Sequence, residues 1–171
     1  MSTERSTDMT SAEARPFGLD LSQAVCDRAT RLAKAMFGAF DAQVVLIQDG
    51  VVWRSHDPQS RIRQTDDPAA TAVLDAGELL WVEDGLLDAR FRDQPLVAKP
   101  PHLRFYAGAP LRTPSGQVLG SLCVIDHKPR PEGLSGREAR SLRALAGQVD
   151  RRVLHRELRA QVAVDPLDGR V

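Results

Sequence analysis

Two stretches decide the fold: Arg104-Phe105-Tyr106-Ala107-Gly108-Ala109-Pro110-Leu111-Arg112, and Val118-Leu119-Gly120-Ser121-Leu122-Cys123-Val124-Ile125-Asp126, joined across Thr113-Pro114-Ser115-Gly116. In the second stretch both alternating sets are apolar. Leu119, Cys123 and Ile125 fall on one side, Val118, Leu122 and Val124 on the other. A strand with one wet face alternates with polar residues, so this strand belongs at the centre of a sheet covered on both sides. Residues 43–48 repeat the pattern.

Working outward, residues 43–48 and 51–56 flank Asp49-Gly50, whose tolerance of positive φ predicts a type I′ hairpin. Asp67-Pro68 opens a short helix that ends near Gly77, with an acceptor at the cap, Pro in the first turn and Gly at the end. Residues 78–83 read as a strand carrying Trp81. Residues 84–103 hold Gly85, Pro95, Pro100 and Pro101, too many breakers for a regular element. Yet Leu86, Phe91, Leu96 and Val97 give this segment an apolar side, and loops of this length in a small domain usually bind or cover a site.

Helices flank these elements. Leu21, Val25, Ala29, Leu32, Met36 and Phe40 recur at helical spacing and predict one buried stripe. Ser135 with Glu138 is a capping box, followed by a sheet-facing stripe of Ala139, Leu142, Leu145, Ala146, Val149 and Val153. A second stripe on that helix, Arg140, Ala144, Gly147, Arg151, Leu154, Leu158 and Gln161, keeps heptad phase. It reads either as a fraying amphipathic helix or as a seam for a partner copy. In the second reading Ala144 and Gly147 let the backbones approach, Arg151 lies beside them, and Leu154 and Leu158 form the apolar contact. The order α-β-β-α-β-loop-β-β-α gives an α+β fold: an antiparallel sheet with the N- and C-terminal helices on one face, and the loop and short helix on the other.

Composition narrows the function. The 171 residues carry 23 basic and 23 acidic side chains, so no bulk charge draws the chain to nucleic acid or membrane. The last helix is Arg-rich but lacks interleaved aromatics, and a solvated face explains it. No run of 18 apolar residues is present to span a bilayer. The first sixteen residues lack the apolar core of a secretory signal, so residues 1–17 read as a disordered tail and the cytoplasm as the expected compartment. Cys26 and Cys123 allow at most one disulfide and no metal cage, and a reducing compartment is the simpler reading. His56, His102, His127 and His155 stand singly, so neither metal nor cofactor is expected.

The stretch Asp88-Ala89-Arg90-Phe91-Arg92-Asp93-Gln94-Pro95-Leu96-Val97, the stretch 104–111, Gly116 to Asp126, and Val52-Trp53-Arg54-Ser55 together resemble a GAF domain. The likeness is to the type fused to bacterial diguanylate cyclases (GGDEF) and histidine kinases, and covers roughly residues 21–155. The resemblance implies a GAF/PAS-like sheet between helices and a loop layer, and a non-catalytic sensory or regulatory module, usually a homodimer through its terminal helices. Residues 18–155 then form the domain, and 156–171 a helix extension or linker to an output domain. Asp165-Pro166-Leu167-Asp168-Gly169 resembles the opening of a GGDEF domain. The chain reads either as a fragment cut at that junction or as a solitary GAF protein whose tail matches by chance. One departure stands out: many relatives place a Ser-Phe-Cys cluster where this chain has Thr65-Asp66-Asp67-Pro68-Ala69, so any pocket there is altered or absent.

Within that likeness a small ligand would lie between the sheet and the loop layer. Trp53, Leu74, Phe91, Arg104 and Tyr106 are the candidate lining, with Arg104 as a fork for an anion and the aromatics as flat walls. The alternative is that these aromatics are core and that Arg104 pairs with Asp84, Asp88 or Asp93. Some solitary GAF proteins reduce free methionine sulfoxide, which needs an accessible, activated thiol with a second thiol in reach. Cys123 in an apolar strand and Cys26 on a helix stripe argue for packed thiols instead. Neither cysteine is followed by the histidine common in bilin-binding relatives, and the Asn-Lys-x-Asp-Glu signature of cyclic-nucleotide binders is absent. A ligand-free dimerisation scaffold is the remaining alternative.

Overall fold

Asp49 and Gly50 adopt φ of 50° and 75°, the two positive angles that a type I′ turn requires, and fold the chain back on itself. The computed structural model describes residues 23–151, which form α1 (Gln23–Phe37), β1 (Asp41–Gln48), β2 (Val51–Arg54), β3 (Asp57–Arg63), α2 (Pro68–Ala76), β4 (Leu80–Val82), α3 (Pro95–Ala98), β5 (Phe105–Arg112), β6 (Val118–Asp126) and α4 (Gly136–Val149). The strands make one antiparallel sheet in the order β3-β2-β1-β6-β5-β4. The two strands whose faces are both apolar, β1 and β6, are its central pair, as their composition demands. Gly120 permits their close approach: a Cβ there would collide with the Val45 carbonyl.

β3 was not foreseen in the sequence. Asp57-Pro58-Gln59-Ser60-Arg61-Ile62-Arg63 is polar and contains Pro, and such a strand is tolerated at a sheet edge. The expected strand 51–56 accordingly stops at Arg54 and turns into a second hairpin.

α1 and α4 cover one face. Phe37, Val44, Leu46, Phe105, Leu111, Leu122, Val124, Leu142 and Val149 form the centre of that core. The capping box of α4 is present, with Ser135 Oγ accepting from Glu138 N at 3.1 Å and Glu138 accepting from Ser135 N at 3.0 Å. Its buried stripe is the expected one: Leu142, Leu145, Ala146 and Val149. On α1 the period is right but the stripe is rotated. Cys26, Ala29, Ala33 and Phe37 face inward, while Leu32 and Met36 remain 40% and 46% exposed. Small side chains bring the α1 backbone close to the sheet and leave the long ones outside. Expectations for the tail 1–17, the extension 156–171, and Val153, Leu154 and Leu158 fall outside the described residues.

The opposite face is covered by α2 and by residues 84–103. α2 starts and stops as predicted: Asp67 Oδ1 accepts from Ala70 N at 3.2 Å, and Gly77 closes the helix at φ 67°. A second apolar cluster fills this side, including Val45, Val52, Val73, Val82, Phe91, Val97, Tyr106 and Cys123.

A candidate ligand cavity between sheet and loop

An ion pair latches residues 84–103 at the start of β5, and a contact of the Pro101 carbonyl with His127 Nδ1 at 2.8 Å ties the far end of the segment. Arg104 precedes β5, and its Nε and Nη2 each donate to one oxygen of Asp84 at 2.6 Å. This bidentate fork holds the Asp84 carboxyl below the usual carboxylate range, the hydrogen bond from Arg104 being the chief cause. Beyond the latch, Asp88 clamps Arg90, whose guanidinium lies 5.5 Å from the Phe91 ring centroid. Phe91 turns inward and meets Tyr106 with ring centroids 5.9 Å apart. Gly108 makes room for this packing, since a Cβ there would come within 2.6 Å of the Tyr106 hydroxyl and 2.8 Å of Val73.

Beneath the loop is a cavity of about 70 Å³ walled by Val45, Val82, Phe91, Val97, Tyr106 and Cys123. That is room for a few waters at roughly 10–15 Å³ each, and well below the roughly 300–1,000 Å³ of a site for a drug-sized molecule. A larger guest enters only if residues 84–103 lift. Polar groups also line the cavity. Arg104 does so while held by Asp84, Arg54 on β2 pairs with Asp67 at the α2 N-cap, and Gln43 on β1 and Gln94 add their carboxamides.

Of the residues expected to line a pocket, Phe91, Arg104 and Tyr106 are brought together here. Arg104 is engaged by Asp84, one of the partners considered for it. Trp53 is not part of this site: β2 alternates, so Val52 and Arg54 face the loop layer and Trp53 packs into the helical core. Leu74 packs against the loop-side cluster, but α2 presents Ala69 and Ala70 to the cavity instead. Gln43, Arg54 and Asp67 were missed as site residues. The available signal was an Arg in phase with Val52 on an apolar strand. Asp67 lies in the segment that departs from relatives, and it closes the cavity through an ion pair rather than leaving it unformed.

The sequence profile of the GAF domain family matches residues 22–153. The chain belongs to the GAF family. Over 72 residues, 40% of its length, it is 56% identical to a cyclic di-GMP phosphodiesterase from Pseudomonas aeruginosa, and that match spans 12% of the relative. The blue-light absorbing form of the Thermosynechococcus elongatus PixJ GAF domain superposes with a TM-score of 0.60 at 17% identity, covering 87% of this chain and 94% of that one. The free methionine-R-sulfoxide reductase from Neisseria meningitidis gives 0.58 at 16% identity, covering 76% of each chain. At such identities the likeness is one of fold.

This GAF domain keeps both of its thiols buried. Burial pushes Cys123 up to about 12 and, with a contribution from Asp27, Cys26 up to about 11. Cys26 belongs to the helical core and Cys123 to the loop-side cluster, so the sheet separates them. Groups of three or more metal-ligating side chains are absent among the described residues, and no described helix is long and apolar enough to cross a membrane. On α4, Arg140 and Ala144 are exposed and Gly147 is half-buried, and Arg151, just past its end, is exposed. This face is open within the described domain.

Proposed function

We propose that this GAF domain is a non-catalytic sensory module in the cytoplasm that binds a small molecule under residues 84–103 and passes the event to α4. The observation that carries the proposal is the position of β5. The loop latch Arg104–Asp84 sits at its start, and at its end Arg112 N donates to Asp150, the C-cap of α4, at 3.0 Å. A single strand beside the central pair therefore connects the cover of the cavity to the C-terminal end of α4. Occupancy that shifts the latch shifts the load on the end of α4, and a small displacement there becomes a rotation or change of register between paired helices.

The pair is a homodimer through the α4 face of Ala144, Gly147 and Arg151, extended by Leu154 and Leu158. The output lies in a linked domain, and the resemblance to GGDEF-fused GAF domains together with the phosphodiesterase relative favours cyclic di-GMP signalling. Light scattering of the wild-type chain gives a dimer mass, and Leu154→Glu with Leu158→Glu lowers it to the monomer. An unchanged mass removes this route of transmission.

The ligand half is tested by a thermal-shift screen of metabolites, since binding to the folded state alone stabilises it by RT ln(1 + [L]/Kd). A ligand that raises Tm and protects residues 84–103 from exchange supports the reading. A screen without a single stabilising compound contradicts it. Thiol-dependent reduction of free methionine sulfoxide, lost in Cys123→Ser, would replace it with a redox enzyme.

A further inference from the structure

The cavity carries more hydrogen-bonding capacity than the protein uses. Arg54 gives an Nη2 hydrogen to Asp67, yet its Nε–H is buried and has no acceptor. Burying such a donor unpaired costs about 1–3 kcal/mol, so the site gains from a guest that accepts there. Gln43 is also buried and lines the same cavity, which sets its carboxamide within reach of a guest. The two are neighbours by register: Arg54 stands opposite Val45, and Gln43 lies two residues along β1 on that same face. Side chains in this diagonal relation lie roughly 7–8 Å apart at their Cβ atoms, so one small group can touch both.

Charge decides the rest. Each guanidinium at the cavity is matched by a carboxylate, Arg54 by Asp67 and Arg104 by Asp84. An ionic guest would leave water without an unmatched counter-charge, which a mostly apolar cavity penalises heavily. The rest of the wall is mostly apolar, Val45, Val82, Phe91 and Val97 among it, and the carboxamide of Gln94, which also lines it, spends an N–H on the Arg90 carbonyl at 3.0 Å. Resting on the ligand-binding reading above, we infer that the cavity selects a compact uncharged amide, a lactam or carboxamide on an apolar ring or short chain. Its carbonyl accepts from Arg54 Nε–H, and its N–H donates to the Gln43 carbonyl.

The test is a titration of the full chain followed by amide NMR shifts, with three ring compounds of similar size: 2-piperidinone, cyclohexanone, which keeps the acceptor but lacks the N–H, and cyclopentanecarboxylate. The lactam is expected to bind about tenfold more tightly than the ketone, the worth of one further hydrogen bond. The carboxylate is expected to bind more weakly than either, with shifts centred on β1, β2 and residues 84–103. Gln43→Leu should bring lactam and ketone to equal affinity while leaving ketone binding in place. Equal wild-type affinities for lactam and ketone, or preferred binding of the carboxylate, overturn this inference and leave the cavity as a ligand site of another class. Saturable binding by none of the three overturns the inference, and only a negative metabolite screen would then overturn the ligand reading as well. The wild-type comparison decides the matter even if the variant fails to fold.

Discussion

The two faces of the sheet are both apolar, but they are closed by different means. On the helical face, α1 and α4 drive regular stripes into β1, β5 and β6, and Phe105, Leu46, Leu122 and Leu142 are almost wholly inaccessible. On the loop face a four-residue helix, a nine-residue helix and irregular chain do the covering. They leave a cavity and depend on ion pairs at its wall. Helices satisfy their own backbone and pack by side chains alone. A loop must be pinned by side-chain hydrogen bonds, and such pins open at lower cost than a packed helix. The contrast is between a face closed by packed helices and a face closed by a pinned loop, and under the proposed reading it is the second that responds.

The largest expected effect breaks the stable face. Phe105→Ala should destabilise the domain by about 3–5 kcal/mol and Leu142→Ala by about 2–5 kcal/mol in urea denaturation, because each leaves a cavity among fully buried neighbours. Loss below 1 kcal/mol would mean that the helical face is not the main core. Gly108→Ala strikes the other face by forcing a methyl against Tyr106 and Val73. Its cost should be about 1–3 kcal/mol, with chemical-shift changes confined to α2, Tyr106 and residues 84–103.

Each face buries one thiol, so alkaline pH tests both. The neutral thiols contribute stability in full below the unfolded value of about 8.5. That contribution falls as pH rises past it, because the unfolded chain ionises first, and is lost once pH passes the folded values of about 11 for Cys26 and about 12 for Cys123. Double Cys26→Ala, Cys123→Ala substitution should flatten the decline in denaturation midpoint between pH 8 and 10. An unchanged slope would show that the thiols are accessible and ordinary.

The smallest effect sharpens the contrast most. Arg104→Lys keeps the charge but loses the fork on Asp84. Global unfolding should hardly move, while amides in 84–103 exchange faster. The Asp84 carboxyl is held low, so its contribution is present above the unfolded value of about 3.9 and disappears as pH falls through the folded value. The protection factors of the loop amides in the wild type, taken against the intrinsic exchange rate at each pH, should therefore fall on acidification below pH 4, and in Arg104→Lys much less so. Equal acid sensitivity in both would exclude the latch.

How much of this was legible in the sequence follows from the same contrast. The central position of β1 and β6, the Asp49-Gly50 turn, both ends of α2 and the stripe of α4 depend on local rules and periodicity, and the residues state them directly. The α1 stripe was misphased because its buried side is built of Ala and Cys, which periodicity weighs less than the Leu and Met left outside. β3 was hidden because an edge strand has little apolar content. The site was legible in part. Phe91, Arg104 and Tyr106 stood out by type, but Trp53 went to the wrong face because strand phase is fixed by tertiary register. Gln43 and Arg54 escaped because their place at the cavity depends on strand register, and a buried Arg54 Nε–H without an acceptor is not visible in a sequence.

The account rests on the claim that residues 84–103 are a cover that opens independently of the core. Native-state hydrogen exchange on the full chain across a series of low urea concentrations measures this directly. The prediction is that amides of 84–103 exchange through a local opening with little urea dependence, at free energies well below those of β1, β5, β6 and α4. Amides of the loop exchanging with the same free energy and urea dependence as the central strands would show the loop to be part of the core, and would contradict the account.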